Sequence, residues 1–553
     1  MNRESFLARE SFIEKNARER VRALLDENTF RELLGPFDRL ESPWLPKQQI
    51  VPQSDDGVVI ARGSLGGTPV MIAAVESAFQ GGSIGEVSGS KLACALELTL
   101  GECEKGNLVH PVLLLETGGV RLQEANLGLA VIAEIHAAIA ALTRHVPVVG
   151  VVAGMVGCFG GMSLAAGLCS HLIMTRQGRL GMNGPEVIEQ ESGIEELDAK
   201  DHRLVWGVFG GEQRHRTNLA DTLVDDDAGA FREVIRAAFQ RGVPERPRSA
   251  QVERSLLLRQ HSSPPPPLSP RPPSSEPARR PSRGQIWFTA LTGVDGAQLR
   301  PGPGGSKSVW STDAPLAGET ARFIAVVPDR ENRFPRAREG EVGLEQGWAL
   351  AREVRDVLEA DANGARRPIV AIVDVKSQAY GRTEELLGIH LACAAAVDAY
   401  ARARMAGHPV MALIVGSAMS GAFLAHGYQA NRILALDAAG VSVHAMSKAA
   451  AARVTRRTVE EVEALGDAIV PMSYSVNAYA QLGTLHRLIA GVNADAPSGE
   501  DVRRVSAELA GAVRDARGGA RDLGNRLLSP EARTTRAASL EVRRRLGAQW
   551  TEG

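Results

Sequence analysis

Residues Val146 to Met174 read VPVVGVVAGMVGCFGGMSLAAGLCSHLIM, without one formally charged side chain. A run of about 20 apolar residues is enough to cross a bilayer. Six glycines interrupt this one, at 150, 154, 157, 160, 161 and 167. PVVGVVA is rich in β-branched residues and reads as a buried parallel strand. GMVGCFGG reads as a tight turn, and SLAAGL as the start of a helix. Strand, glycine turn and buried helix is an arrangement that aims backbone N–H groups at one small volume. A soluble α/β unit is therefore expected, not a membrane span.

The same pattern returns further along the chain. Pro409 to Asn431, PVMALIVGSAMSGAFLAHGYQAN, is again uncharged, strand-like, then Gly-rich, then helical. Each copy has an upstream companion, PVLLLETGGVRLQEA from Pro111 and PIVAIVDVKSQAYGRTEE from Pro368. Gly119 and Gly160 are 41 positions apart, and Gly381 and Gly421 are 40 apart. This spacing predicts an internal repeat of about 250 residues, hence two similar α/β domains with two glycine loops each.

Between the halves, Ser262 to Pro281 holds nine prolines in 20 residues. Such a segment is expected to be an extended spacer. The organisation read from the sequence is a first domain over 1–245, a linker over 246–283 and a second domain over 284–553. In the first domain, residues 5–34 read as helix. The stretch from Asp55, DDGVVIARGSLGGTPVMIAAVES, reads as a β-hairpin turning at Gly66-Gly67. A Gly-rich approach, Gly81-Gly82 and Gly85, then leads into a helix near Ser88. That is either a plain turn or a phosphate contact at a helix N-terminus. In the second domain QIWFTALTG and RFIAVVPDR read as strands. The last 55 residues read as Arg-rich helices whose interleaved acids point to a solvated face.

Composition narrows the function classes. The 553 residues are 44% hydrophobic and 23% charged with a net charge of −2, as for an ordinary globular chain. Neither that charge nor the 4% aromatic content favours nucleic acid. The five cysteines form no CxxC and are expected as buried thiols in a reducing compartment. No metal site is expected. MNRESFLARES has no apolar core of a signal peptide, so a cytoplasmic location is expected. No nucleophile elbow, Ser-His-Asp set, HExxH or P-loop stands in a fitting context. The paired glycine loops fit either close helix–strand packing or an oxyanion hole for a thioester enolate.

ARERVRALLDENTFRE (17–32), the hairpin and glycine region (55–91) and TGGVRLQEA (117–125) resemble the N-terminal half of acyl-CoA carboxyltransferases. VDVKSQAYGRTEELLGIHLACAA and SAMSGAF resemble that family's C-terminal half, although the PGF tripeptide is missing. Within the family the chain is most similar to biotin-independent malonate decarboxylases, as if their β and γ subunits were fused. The resemblance implies a crotonase-like fold in both halves and decarboxylation of malonyl-S-acyl carrier protein through an enolate. It implies no cofactor bound by this chain. The thioester would arrive on the CoA-like prosthetic group of a separate acyl carrier protein. A malonate/acetyl-carrier transferase subunit is a further implied partner, and a homodimer is allowed.

The implied thioester-oxygen site is Gly118, Gly119, Gly160 and Gly161, and the implied carboxylate site is Gly381, Arg382, Ser420 and Gly421. Tyr380 and His444 are the implied proton-donor candidates. Gly82, Ser83, Gly85 and Arg121 are the candidate contacts to the prosthetic group. The alternatives are a biotin-dependent carboxyltransferase subunit, which would share the fold, and a non-catalytic scaffold, against which the intact glycine pairs speak.

Overall fold

The computed structural model describes residues 9–253, 280–299 and 307–551. Nearly all of the proline-rich stretch lies outside the described residues.

Two seven-stranded sheets organise the chain. The first contains β1 (Arg31–Leu33), β2 (Val58–Leu65), β3 (Thr68–Val75), β4 (His110–Leu114), β5 (Val149–Val152), β6 (His171–Met174) and β7 (Thr222–Leu223), side by side in that order. The β2–β3 hairpin is antiparallel, and every pairing from β3 onward is parallel. The second sheet contains β8 (Val309–Leu316), β9 (Glu319–Val326), β10 (Ile369–Val375), β11 (Val410–Met419), β12 (Arg432–Leu436), β13 (Ser442–His444) and β14 (Arg487–Ile489). It repeats the plan: an antiparallel β8–β9 hairpin, then parallel β9, β10, β11, β12 and β14, with β13 on the far end of β11. The near-continuous apolar strands read from the sequence are buried on both faces, as parallel strands are.

The helices that matter for the site are α1 (Ala17–Leu24), α2 (Glu86–Glu104), α3 (Ala125–Leu142), α4 (Gly161–Leu168), α5 (Leu344–Ala360), α6 (Ile389–Met405), α7 (Ser420–Ala425) and α8 (Ala537–Thr551). The α3 region is long and apolar enough to cross a membrane, yet 89% of its apolar window is buried inside the protein. It is a core helix. The two halves pack through α3, α4 and α6. A Cβ on Gly167 of α4 would lie 2.8 Å from the Ala394 Cβ of α6, so close helix packing is this glycine's role.

Three local expectations are corrected. The helix expected over 5–34 is only α1: an Asn16–Glu19 capping box opens it, Leu25 is already extended, and Arg31–Leu33 pairs with β2. QIWFTALTG is not a strand but part of the helix Arg283–Thr292, opened by a Ser282–Gln285 box and closed by left-handed Gly293. Its aromatic residues mislead because Trp287 and Phe288 point into the core from a helix. The C-terminal arginines are not all on a solvated face. Helix α8 crosses to the first half, where Arg536 and Arg543 each donate to Glu134 at 2.8 Å and the Ser539 N–H donates to Glu86 at 3.0 Å.

Candidate active site

The two halves build the same turn twice. After β4, the Ile84 N–H donates to Gly119 O and the Arg121 N–H to Ile84 O, which leaves the Val120 N–H between them facing outward. After β10, the Val342 N–H donates to Ser377 O and the Ala379 N–H to Val342 O, leaving Gln378 in the place of Val120. A residue of positive φ stands where the chain enters the next helix in each half: Gly160 (φ 59°), in the loop after β5 and just before α4, and Ser420 (φ 54°), directly after β11 at the head of α7. The first N–H groups of a helix have no acceptor within it. Those of Val120, Gly161, Gln378 and Gly421 have no hydrogen-bond acceptor among the described residues. Each half therefore offers two free backbone donors on adjacent turns, Val120 with Gly161 and Gln378 with Gly421.

The turns in one half touch. A Cβ on Gly119 would lie 3.1 Å from the Gly160 Cα, and one on Gly160 would lie 3.2 Å from the Gly119 Cα and 3.9 Å from the Val120 nitrogen. This bare backbone is what lets a carbonyl oxygen approach both donors.

The turns of the two halves also meet each other. The Gly160 N–H donates to Met182 O at 3.0 Å. A Cβ on Gly421 would lie 2.4 Å from the Met182 Cε and 3.5 Å from Gln378 Oε1. A Cβ on Gly161 would lie 2.7 Å from the Leu424 Cδ1 of α7.

Below this seam runs a buried polar chain. Glu385 accepts from the N–H groups of Met182 (3.1 Å) and Asn183 (2.7 Å) and from Asn183 Nδ2 (2.9 Å). Asn183 Nδ2 also donates to Ala379 O, so its Oδ1 accepts from Gln378 Nε2 at 2.8 Å. Burial pushes the Glu385 carboxyl up to about 7, opposed by the Arg214 guanidinium and those donors. His136 Nε2 sits 2.8 Å from Gly161 O beneath the head of α4.

The expected site residues fall into two groups. Gly161, Ser420 and Gly421 stand in the turns as expected, and so do Gly118, Gly119 and Gly160, but the donors differ. The Gly118 N–H is taken by Gly81 O, that of Gly119 by Thr117 Oγ1 and that of Gly160 by Met182 O. Those glycines line the turn, and the N–H without an acceptor beside that of Gly161 is the one on Val120.

Gly381 and Arg382 are not brought into the second hole. Gly381 caps the helix Arg382–Leu386, and the Arg382 N–H is held by Glu196 with the side chain exposed. Tyr380 lies two residues beyond Gln378, and burial pushes its phenol up to about 12, so it stays protonated. His444 pairs with Met419 on β13 and stacks on Tyr474 at 3.8 Å. Burial lowers it to about 4, which leaves it neutral and a poor proton donor.

The prosthetic-group contacts expected around Gly82 are corrected as well. Arg121 is buried, donating to Asp56 Oδ1 at 2.6 Å and Ser83 O at 3.1 Å, with Glu124 at 3.5 Å. The N-terminus of α2 is filled by the protein's own carboxylates: the Glu86 N–H donates to Glu124 and the Ser88 N–H to Asp56. The Gly85 N–H is taken as well, by Ser88 Oγ at 2.9 Å. Gly82 (φ 67°) is a packing glycine whose Cβ would meet Glu116 O at 2.1 Å, and Gly85 is the helix cap. The second half copies this arrangement, with Gly343 capping α5 and Glu384 accepting from the Leu344 N–H at 2.9 Å.

Val120, Gln378, Met182, Asn183 and Glu385 escaped the sequence reading. A backbone donor carries no side-chain signature. The two companion loops, aligned by their bridge residues instead of their glycines, would have singled out Val120 and Gln378. Among the described residues no group of histidine, cysteine or acidic side chains could hold a metal ion, and all five cysteines are buried free thiols.

Comparison with known proteins finds two families along the chain. Residues 14–245 match the carboxyl transferase domain family, and residues 337–550 match the malonate decarboxylase gamma subunit family. The malonyl-S-ACP:biotin-protein carboxyltransferase MADC of Malonomonas rubra is 40% identical over 245 residues, covering 42% of this chain and 77% of that protein. The MADD protein of the same name and organism is 33% identical over 199 residues, covering 35% of this chain and 66% of that protein. A crystal structure of a Pseudomonas malonate decarboxylase hetero-tetramer in complex with malonate contains a chain 55% identical to this one. That match covers 49% of this chain and 97% of the other, with a TM-score of 0.46.

Proposed function

The chain belongs to the carboxyl transferase family, and we propose that it decarboxylates a malonyl thioester carried on an acyl carrier protein, as a β and γ pair of malonate decarboxylase in one polypeptide. The observation that carries this reading is the meeting of two equivalent donor pairs, one from each half, across Met182. A malonyl thioester has two oxygen centres that need holding, the thioester carbonyl and the carboxylate.

In this reading the Val120 and Gly161 N–H groups hold the thioester oxygen, and the Gln378 and Gly421 N–H groups hold the carboxylate. The C–C bond to the carboxylate breaks, and its electron pair flows to the thioester carbonyl, giving an enolate and CO2. The enolate oxygen then carries the charge that the first pair stabilises. Loss of one such donor raises a barrier by roughly 3 kcal/mol. A proton delivered to the α-carbon completes the acetyl thioester. Of the two expected side-chain donors we favour Tyr380, which stays protonated and lies two residues from Gln378. An acyl carrier protein and a transferase that loads it are the partners this chemistry requires.

The second reading is transfer of the carboxyl group to a biotin protein, the reaction in the names of both Malonomonas relatives. The gamma-subunit match over 337–550 favours simple decarboxylation. Incubating the purified chain with malonyl carrier protein, with and without avidin, decides. Acetyl carrier formed at the same rate in both is expected. A strict need for an added biotin protein would overturn the proposal in favour of transfer.

A further inference from the structure

Arginines crowd the seam where α8 and the segment before it reach the first half. Arg404, Arg526 and Arg536 are 2% exposed or less, and two buried carboxylates face them, Glu134 and, beside Arg536, Glu86. Arg536 donates to Glu134 from Nη2 alone, and its Nε and Nη1 are buried without a partner. Arg526 donates from Nη2 to Tyr428 O and Ala430 O, both at 2.8 Å, and its Nε and Nη1 are likewise buried and unpartnered. Tyr479 O–H donates to the Tyr428 oxygen at 2.8 Å, which leaves the Tyr428 hydrogen to point elsewhere. The Arg526 guanidinium lies 5.3 Å from the Tyr428 ring centre, and both arginines act electrostatically on both tyrosines.

The other charges facing the cluster do not cancel it. Arg404 is satisfied by Gln429 and Arg521 O. Arg543 already shares Glu134 and Glu97, and Asp522 is exposed. The three buried arginines thus exceed the two carboxylates by one positive charge even with both acids ionised, and their unused polar atoms are donors. An uncompensated buried cation costs several kcal/mol, and buried donors are ordinarily satisfied. A cavity of about 700 Å³, lined by Glu134, Arg404, Leu523, Leu527 and Arg543, reaches the Glu134 side of the cluster.

We propose that Arg526, Arg536 and Tyr428 form the donor shell of a buried site for one small inorganic anion, which ties the second half to Glu134 of the first. A halide or a compact oxyanion meets the requirement, an acceptor with negative charge and no bulk.

The test is thermal unfolding of the full chain in sodium chloride, bromide, phosphate or sulfate, each against equal ionic strength of a bulky organic anion. At least one small anion should raise Tm saturably, by about 2 °C. Crystals grown in bromide should show an anomalous peak within contact of both guanidiniums. Arg526→Met should abolish the anion-specific rise, with Tm in the bulky anion unchanged or higher. If that variant does not fold, the bromide crystals of the native chain decide alone. A Tm that follows ionic strength only, or crystals with no bromide between Arg526 and Arg536, would overturn the site and leave those donors to water.

Discussion

Gly160 and Ser420 stand at equivalent helix entrances in the two halves, both at positive φ, 59° and 54°. One is a glycine and the other is not. A non-glycine residue held there costs of order 1–3 kcal/mol and persists only where its surroundings hold it. A Cβ at Gly160 would stand 3.2 Å from the Gly119 Cα and 3.9 Å from the free Val120 nitrogen. We therefore expect the two positions to answer differently to exchange. Gly160→Ser should lower kcat about a hundredfold, as for a lost oxyanion donor, and Ser420→Gly should raise Tm. Equal kcat losses in both variants would show that the second turn needs its serine as much as the first needs its glycine.

Gly119→Val separates chemistry from packing in the first hole. The position has φ 101° and its Cβ would press on Gly160 Cα and Phe159 O, both at 3.1 Å, so some stability is lost whatever its role. The informative quantity is kcat per folded molecule. A drop of about a hundredfold is expected, because the push lands on the residue before the Gly161 donor. Normal kcat in the folded fraction, with only Tm reduced, would reduce the glycine to a packing residue.

Glu385→Gln keeps the shape of the chain beneath the seam and changes one acceptor into a donor. That NH2 would face the N–H groups of Met182 and Asn183. A loss of about 2 kcal/mol is expected from an unsatisfied buried donor. A fall in kcat should accompany it, since Met182 O holds the Gly160 turn. Unaltered kcat at lowered Tm would mean that the network supports the fold without setting the site.

Helix α8 should hold the halves together without the covalent connection. A protease site inserted near residue 265 and then cut is expected to leave both halves in one peak on a sizing column. The same cut in a chain ending at residue 536 should leave a less stable pair with a lower Tm, because the Ser539 bonds to Glu86 and the Arg543 bonds to Glu134 and Glu97 go with the helix while α3, α4 and α6 still pack. Halves that separate while α8 is intact would contradict the assignment.

Acid should destabilise the protein through its histidines. Burial lowers His136, His426 and His444 to about 4 from the usual 6.5. The unfolded chain takes up these protons below 6.5, and the folded chain refuses them until about 4. The stabilisation is complete above pH 6.5 and is lost as pH falls toward 4, by up to about 3 kcal/mol per histidine. Tm measured across that window should fall steeply, and His426→Asn should flatten the slope. A Tm that stays level from 6.5 to 4.5 would refute it.

The sequence by itself determined the repeat, the strand–turn–helix units and the glycines at 119, 160 and 421, because apolar runs and missing side chains leave a direct mark on composition. It also determined the family resemblance. It could not say which N–H groups remain free, since that depends on which carbonyls other segments bring: Gly81 and Met182 occupy the donors of Gly118 and Gly160, and leave those of Val120 and Gly161. Nor could it show that Asp56 and Glu124 fill the α2 N-terminus, that Glu385 sits under Met182 more than 200 positions away, or that Arg536 finds Glu134 across the seam. A backbone donor looks alike in every sequence, and a charged residue reads as solvated until a distant segment buries it. Those partnerships exist only once both sheets have folded and met.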